Sequence, residues 1–168
     1  MNLLLIIDGS TACDVAVTDR GYMNTPTFIK YLDHFKKHTS LTEENPVLLI
    51  LDNHVSHTSL QTVLFAKDNF IHLSSLPTRS SHKTQPIDRA FFKPLKAYYE
   101  SIADSCTSSH PEQVLSIYHV TGLFFTTFTK TATIDIARDG FRSTGIYPQE
   151  KKLFSGVDCM PAEVTEQN

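Results

Sequence analysis

Hydrophobic positions along the chain fall into short unbroken runs and helical stripes, separated by polar stretches. Leu3 to Ile7 is an apolar run closed by Asp8-Gly9 and is expected as a strand. Residues 10–22 show no period and are expected as a loop. Pro26 suits the first helical position behind a cap at Asn24 or Thr25. Phe28, Tyr31, Leu32 and Phe35 then recur at i, i+3, i+4 and i+7, one apolar stripe of an amphipathic helix. Pro46 leads into Val47-Leu48-Leu49-Ile50-Leu51, an all-apolar run that predicts a strand buried on both faces. The run stops abruptly at Asp52-Asn53-His54. A helix is expected over residues 59–68, capped by Thr58 or Ser59, with Leu60, Val63 and Leu64 on one face. Phe70 to Leu73 follows as a second strand. The order strand, helix, strand predicts a parallel crossover.

Residues 76–86 are rich in Ser, Thr and Pro and read as a loop. A helix is expected from about Pro86–Asp88 to Ala103, with Phe91, Phe92, Leu95, Tyr98, Tyr99 and Ile102 as its apolar positions. Another spans Glu112 to Lys130. A short third helix runs from Thr133 to Arg138, stopped by Gly140. From Lys151 the composition turns polar. The expectation is an α/β domain over residues 1–150 with C-terminal helices, followed by a polar tail over 151–168.

Composition narrows the classes. The 168 residues, 40% hydrophobic and 20% charged, supply one globular core. A net charge of -3 excludes a generally basic nucleic-acid coat and leaves room for a local basic groove. No apolar run approaches the ~20 residues of a membrane helix. The opening run lacks the positive flank of a signal peptide. Cys13, Cys106 and Cys159 are odd in number, dispersed and without a CxxC, so they are expected as free thiols in a reducing compartment.

The candidate chemistry centres on two aspartates. Asp52 follows an apolar strand directly, and ligands of open α/β sheets bind outside the carboxyl ends of strands. Asp88 opens a helix behind the loop after the second strand, a place that the helix macrodipole by itself explains. Two carboxylates converging in a cleft repel each other, and Mg²⁺ or Mn²⁺ relieves that repulsion. His54 and His57 form an HxxH. With Asp52 they suit either a His/Asp metallohydrolase or loop-shaping hydrogen bonds behind the carboxylate. His82 is expected as a loop hydrogen-bond former. Arg79, Lys83, Arg89, Lys93 and Lys96 lie within 18 residues, opposed only by Asp88, and suit phosphate contacts or a solvated face.

These residues also carry a family resemblance. Val47 to His57, with Leu51-Asp52-Asn53-His54 and Ser56-His57, resembles the "LLLDNHxSH" block of DDE superfamily endonucleases, the pogo, Tigger and jerky group of transposases. Leu76-Pro77 through Ser81-His82 to Gln85-Pro86-Ile87-Asp88 resembles that group's "LPxxxSHxxQPLD", and Phe91 to Lys96 its "gvFgpLK". Gly21 to Phe35 is similar to "GWMnxxxFxxWLxxF", and Gly140 to Pro148 to "GFrxTGIyP". The resemblance implies a ribonuclease-H-like fold and a DNA transaction in the nucleus, with three acidic residues holding two divalent metals. Asp52 matches the second acid and Asp88 the third. The first acid belongs to a "DExG"-like segment further upstream, and none occurs between Met1 and Arg20. Asp8 is the alternative first ligand, although Leu3 to Ile7 more resembles the later "lPPlxIf" strand. The family's amino-terminal helix-turn-helix region is also missing. The chain is therefore expected to be a domain truncated at its N-terminus. It should bind DNA non-specifically without cutting it. The competing expectation is a structural or protein-interaction remnant with no DNA chemistry.

Overall fold

The structure, a computed structural model, describes residues 14–112 and 114–154. The expected strand at Leu3 to Ile7, Asp8, Cys13, Cys159 and most of the polar tail lie outside the described residues. Two compact units emerge, one over Ala16–Gln85 and one over Pro86–Leu153.

The first unit begins with α1, Thr25–Lys37. Asn24 caps it, its side-chain oxygen accepting the N–H of Thr27 at 2.9 Å. The stripe predicted for this helix is the face that packs: Phe28 and Leu32 are buried and Phe35 is partly buried against them. Strands β1, Val47–Leu51, and β2, Ile71–Ser75, pair in parallel, with Val47 opposite Ile71 and Leu51 opposite Ser75. The predicted crossover is therefore present. It contains two helices, α2, Val55–Thr58, and α3, Leu60–Asp68, where one was expected.

Two expectations are corrected here. β1 is not buried on both faces. Leu49, Leu51, Ile71 and Leu73 turn to the α1–α3 core, whereas Leu48, on the opposite side of the pleat, is 58% exposed. Ile50, on the same side as Leu48, is partly buried, so among the described residues the exposure of that side is concentrated at Leu48. α3 also turns the other way. Leu60, Val63 and Leu64 are exposed, and Thr62 and Ala66 are buried. Thr62 tolerates burial because its hydroxyl donates to the Ser56 carbonyl at 2.7 Å. A nine-residue helix with apolar residues on several sides leaves its docking face to its neighbours.

Next, α4, Ser81–Thr84, occupies part of the expected loop. The second unit opens on a π-helical turn, Ile87–Phe91, which leads into α5, Phe92–Ser109. Residues Phe92 and Tyr98, assigned to the apolar face of that helix, are about half exposed. α6, Ile117–Thr131, starts later than expected because Ser116 and His119 close a reciprocal cap. Phe128 of α6 meets Phe91 edge-on at 5.9 Å. Thr127 and Thr131 are buried, each hydroxyl bonded to the carbonyl four residues back.

α7, Ile134–Ser143, runs through Gly140 where a stop was expected. Gly140 is buried, and a Cβ there would sit 2.8 Å from the Pro86 carbonyl oxygen. This glycine is thus a close-approach residue in a helix interior. The positive-φ glycine that follows the helix is Gly145, at φ 66°.

Candidate functional site

Asp52 leaves the carboxyl end of β1 and is held by the residues that follow it. Its Oδ1 accepts the backbone N–H of His54 at 3.2 Å. The same oxygen lies 2.8 Å from Nδ1 of His57, which also lies 3.3 Å from the backbone carbonyl oxygen of Asp52. Both of those oxygens are acceptors, so Nδ1 of His57 is the donor in these contacts. The His57 side chain is only 16% exposed, against 48% for Asp52. Its ring sits on Phe28 of α1 at 4.2 Å. The carboxylate is therefore tethered through one oxygen, and Oδ2 has no hydrogen bond or ion pair among the described residues.

His54 has a different task. Its Nδ1 accepts from the Ser56 hydroxyl at 2.8 Å and the Ser56 N–H at 3.3 Å, which caps α2. Ser56 is buried, and its carbonyl takes the Thr62 bond that joins α2 to α3. Asn53 Oδ1 accepts from the Ser75 hydroxyl at 3.3 Å, which links the ends of the two strands. Sequence reasoning missed Phe28, Ser75 and Thr62 as supports of this turn. Phe28 looks like any core residue, and no spacing rule connects it to His57. Elsewhere on α1, burial raises the pKa of the Tyr31 phenol, and the Lys37 ammonium bonded to Asp33 lowers that of its carboxyl.

Two nitrogens with opposite duties give an observable signature. Nitrogen-15 NMR of the imidazoles should show His57 as the Nδ1–H tautomer and His54 as the Nε2–H tautomer in the neutral rings. Asp52→Asn should leave the His54 pattern unchanged and perturb His57. Identical tautomers for both rings would contradict this arrangement.

Asp88 lies in the π-helical turn of the second unit, half-buried, two residues after Pro86. π-turns inside helices frequently accompany functional sites. Arg89, Lys93 and Lys96 follow at spacings that line one side of this helix, and all three are exposed. Lys96 has Glu100 at 3.8 Å across solvent, a weak pair. Arg79 and Lys83 belong to the first unit. Arg79 is exposed with φ at 58°, and Lys83 and the exposed His82 sit on α4. The structure thus gathers Asp52, His54 and His57 in one turn and Arg89, Lys93 and Lys96 along one helix, with Asp52 and Asp88 in separate units.

Among the described residues, no group of three or more His, Cys, Asp or Glu side chains is placed to hold a metal ion. Asp52 brings one carboxylate with one oxygen already engaged. In the HxxH, both histidines turn Nδ1 toward protein partners, with the ring centroids 5.5 Å apart. The described donor set does not by itself make a divalent site.

The sequence pattern of the DDE superfamily endonucleases matches residues 6–126. A protein of Cochliobolus lunatus described as MFS-type transporter clz9 is 32% identical over 145 residues. That match covers 83% of this chain and 15% of that protein, so the chain spans a small part of this relative's length. No solved structure matches the chain. No helix among the described residues is long and apolar enough to cross a membrane.

Proposed function

The chain belongs to the DDE superfamily endonucleases, and from that premise we propose that these 168 residues bind nucleic acid non-specifically and do not cut it. Members of this family act on DNA and generally use divalent metal ions. The finer assignment, a pogo, Tigger or jerky-type transposase domain of ribonuclease-H-like fold working in the nucleus, rests on the five sequence blocks. Asp52 and Asp88 are proposed as its second and third acidic positions. The observation that carries the binding half is the exposed line of Arg89, Lys93 and Lys96 beside Asp88. Arg79 and Lys83 add cations from the neighbouring motif.

The cleavage half rests on residues 1–20, in which no "DExG"-like segment occurs. Two-metal strand cleavage needs carboxylates on both ions, so that the attacking and leaving oxygens are both stabilised. A misplacement of ~1 Å costs about 10²-fold in rate, and loss of a ligand costs more. The chain should therefore leave supercoiled plasmid intact in Mg²⁺ and in Mn²⁺. Robust nicking abolished by Asp8→Ala would overturn this and make Asp8 the first ligand. Nicking that survives both Asp52→Asn and Asp88→Asn would remove the two aspartates from the chemistry.

Binding should come from counterion release, with a log–log salt slope of about -0.9 per phosphate engaged on duplex DNA. If all five cations take part, that slope is roughly -4.5. The triple variant Arg89→Gln, Lys93→Gln, Lys96→Gln should flatten it by about 2.7. A chain that binds no DNA at low salt would instead be a protein-interaction remnant.

A further inference from the structure

The C-terminal end of the second unit holds a concavity that none of the acid or cation motifs explains. Its volume is about 490 Å³, and its wall is mostly apolar: Ala137 and Phe141 from α7, with Tyr147 and Pro148 from the turn that follows. Arg138 and Arg142 stand on the same lining. Tyr147 and Ile134, both on its lining, are each 77% exposed. This is the outward side of α7, since Gly140 and Thr144 face inward and are buried.

The turn is a built platform. The N–H groups of Ile146 and Tyr147 both donate to the Phe141 carbonyl, at 3.2 and 3.4 Å. The Glu150 N–H donates to the Gly145 carbonyl at 3.0 Å. Gly145 holds a positive φ, and a Cβ there would meet the Glu150 carbonyl oxygen at 2.9 Å. Tyr147 is therefore presented to solvent by a hydrogen-bonded backbone, and its side chain has only two χ angles to fix on stacking.

The two arginines decide what the platform suits. They are four residues apart, one helical turn, about 6 Å along the axis. Arg138 makes no ion pair among the described residues. Arg142 faces Asp139 at 3.7 Å, both well exposed, a pair too weak to hold the guanidinium. The acids of α7, Asp135 and Asp139, do not line the concavity. An apolar peptide would have to desolvate two guanidinium groups without a partner. A nucleotide strand satisfies both features at once, with a base on the aromatic floor and phosphates on the arginines.

We propose that α7 and the Gly145–Pro148 turn form a single-strand-binding site, in which an unpaired base stacks on Tyr147 and Phe141 while Arg138 and Arg142 hold the adjoining phosphates. This extends the nucleic-acid reading above and depends on it. It adds a preference for unpaired over duplex DNA, which the cation line by itself does not supply.

Fluorescence anisotropy on the full 168-residue chain, with a labelled ten-nucleotide oligothymidine and a blunt duplex of equal length, tests it. Tyr147→Ala should weaken single-strand binding about 5- to 150-fold and leave duplex binding unchanged. Tyr147→Trp should restore single-strand binding. Arg138→Gln with Arg142→Gln should flatten the single-strand salt slope by about 1.4. Because Tyr147 is exposed, the thermal midpoint of Tyr147→Ala should match that of the parent chain, which separates lost stacking from lost folding. If neither DNA binds, both the general reading and this site fail. If both bind and Tyr147→Ala changes neither affinity, only this site fails. A dimer that Tyr147→Ala converts to monomer would make the surface a contact between copies, and would also overturn the proposal.

Discussion

Leu32→Ala should destabilise the Ala16–Gln85 unit by about 2–5 kcal/mol, the usual cost of emptying a fully buried leucine site. Leu32 has no exposed surface and lies among Phe28, Ala66 and Ile71, the buried apolar cluster of this unit's described residues. Phe35, Leu41, Leu49, Leu51, Phe65 and Leu73 close around them and are themselves only partly buried. A core this small has little to collapse into the cavity, and a stability of ~5–15 kcal/mol is typical of whole domains. The loss therefore takes a large share of what holds β1 under α1, and with it Phe28 under His57. Urea denaturation of the parent chain, Leu32→Ala and Leu48→Ala provides the check. Leu48 is as large but more than half exposed, so its truncation should cost well under half as much. Equal costs at the two positions would contradict the packing described here.

The second large effect is expected at Gly140. In an open helix, Gly→Ala gains up to ~1 kcal/mol through propensity. Here the new methyl would lie 2.8 Å from the Pro86 carbonyl oxygen and 3.2 Å from its Cβ. The nearest atom is backbone and cannot rotate aside, so α7 must move away from the π-turn. Overpacking of this kind costs ~1–3 kcal/mol, enough to reverse the propensity gain. Gly140→Val, with two further methyl groups, should cost more than Gly140→Ala. It should also disturb the amide signals around Asp88, two residues beyond Pro86. Thr144 amplifies the effect, because its buried hydroxyl donates to the Gly140 carbonyl at 3.0 Å. A Gly140→Ala chain that melts higher than its parent would refute the close approach.

Both predictions concern positions that sequence patterns read differently. Leu32 belongs to a stripe that periodicity identifies correctly, because α1 has one apolar side and one place to bury it. Gly140 carries no such signal. A glycine near the end of a short helical pattern looks like a terminator, and only a neighbour from elsewhere in the chain makes it an interior contact. α3 teaches the same lesson in reverse. Its leucines and valine form a plausible inner face, yet Thr62 and Ala66 go inside. Small size and a hydrogen bond to Ser56 decide the docking there, not hydrophobicity.

The candidate site divides along similar lines. That Asp52 ends a strand, that His54 and His57 follow it, and that a basic stretch surrounds Asp88 could all be read in order along the chain. The family could be recognised too, because its blocks are contiguous residues in a set sequence. Strand identity, the parallel crossover and the α1 stripe were likewise local properties, set by apolar runs, proline positions and caps. Tertiary structure decided the rest. It put Phe28 beneath His57, gave Nδ1 of the two histidines opposite hydrogen-bonding roles, left Leu48 of β1 exposed and set Tyr147 on one lining with Arg138 and Arg142. Each depends on partners distant in sequence or on hydrogen-bond geometry. A one-dimensional pattern says which residues want burial or hydrogen bonds, and only packing says which partner each one finds.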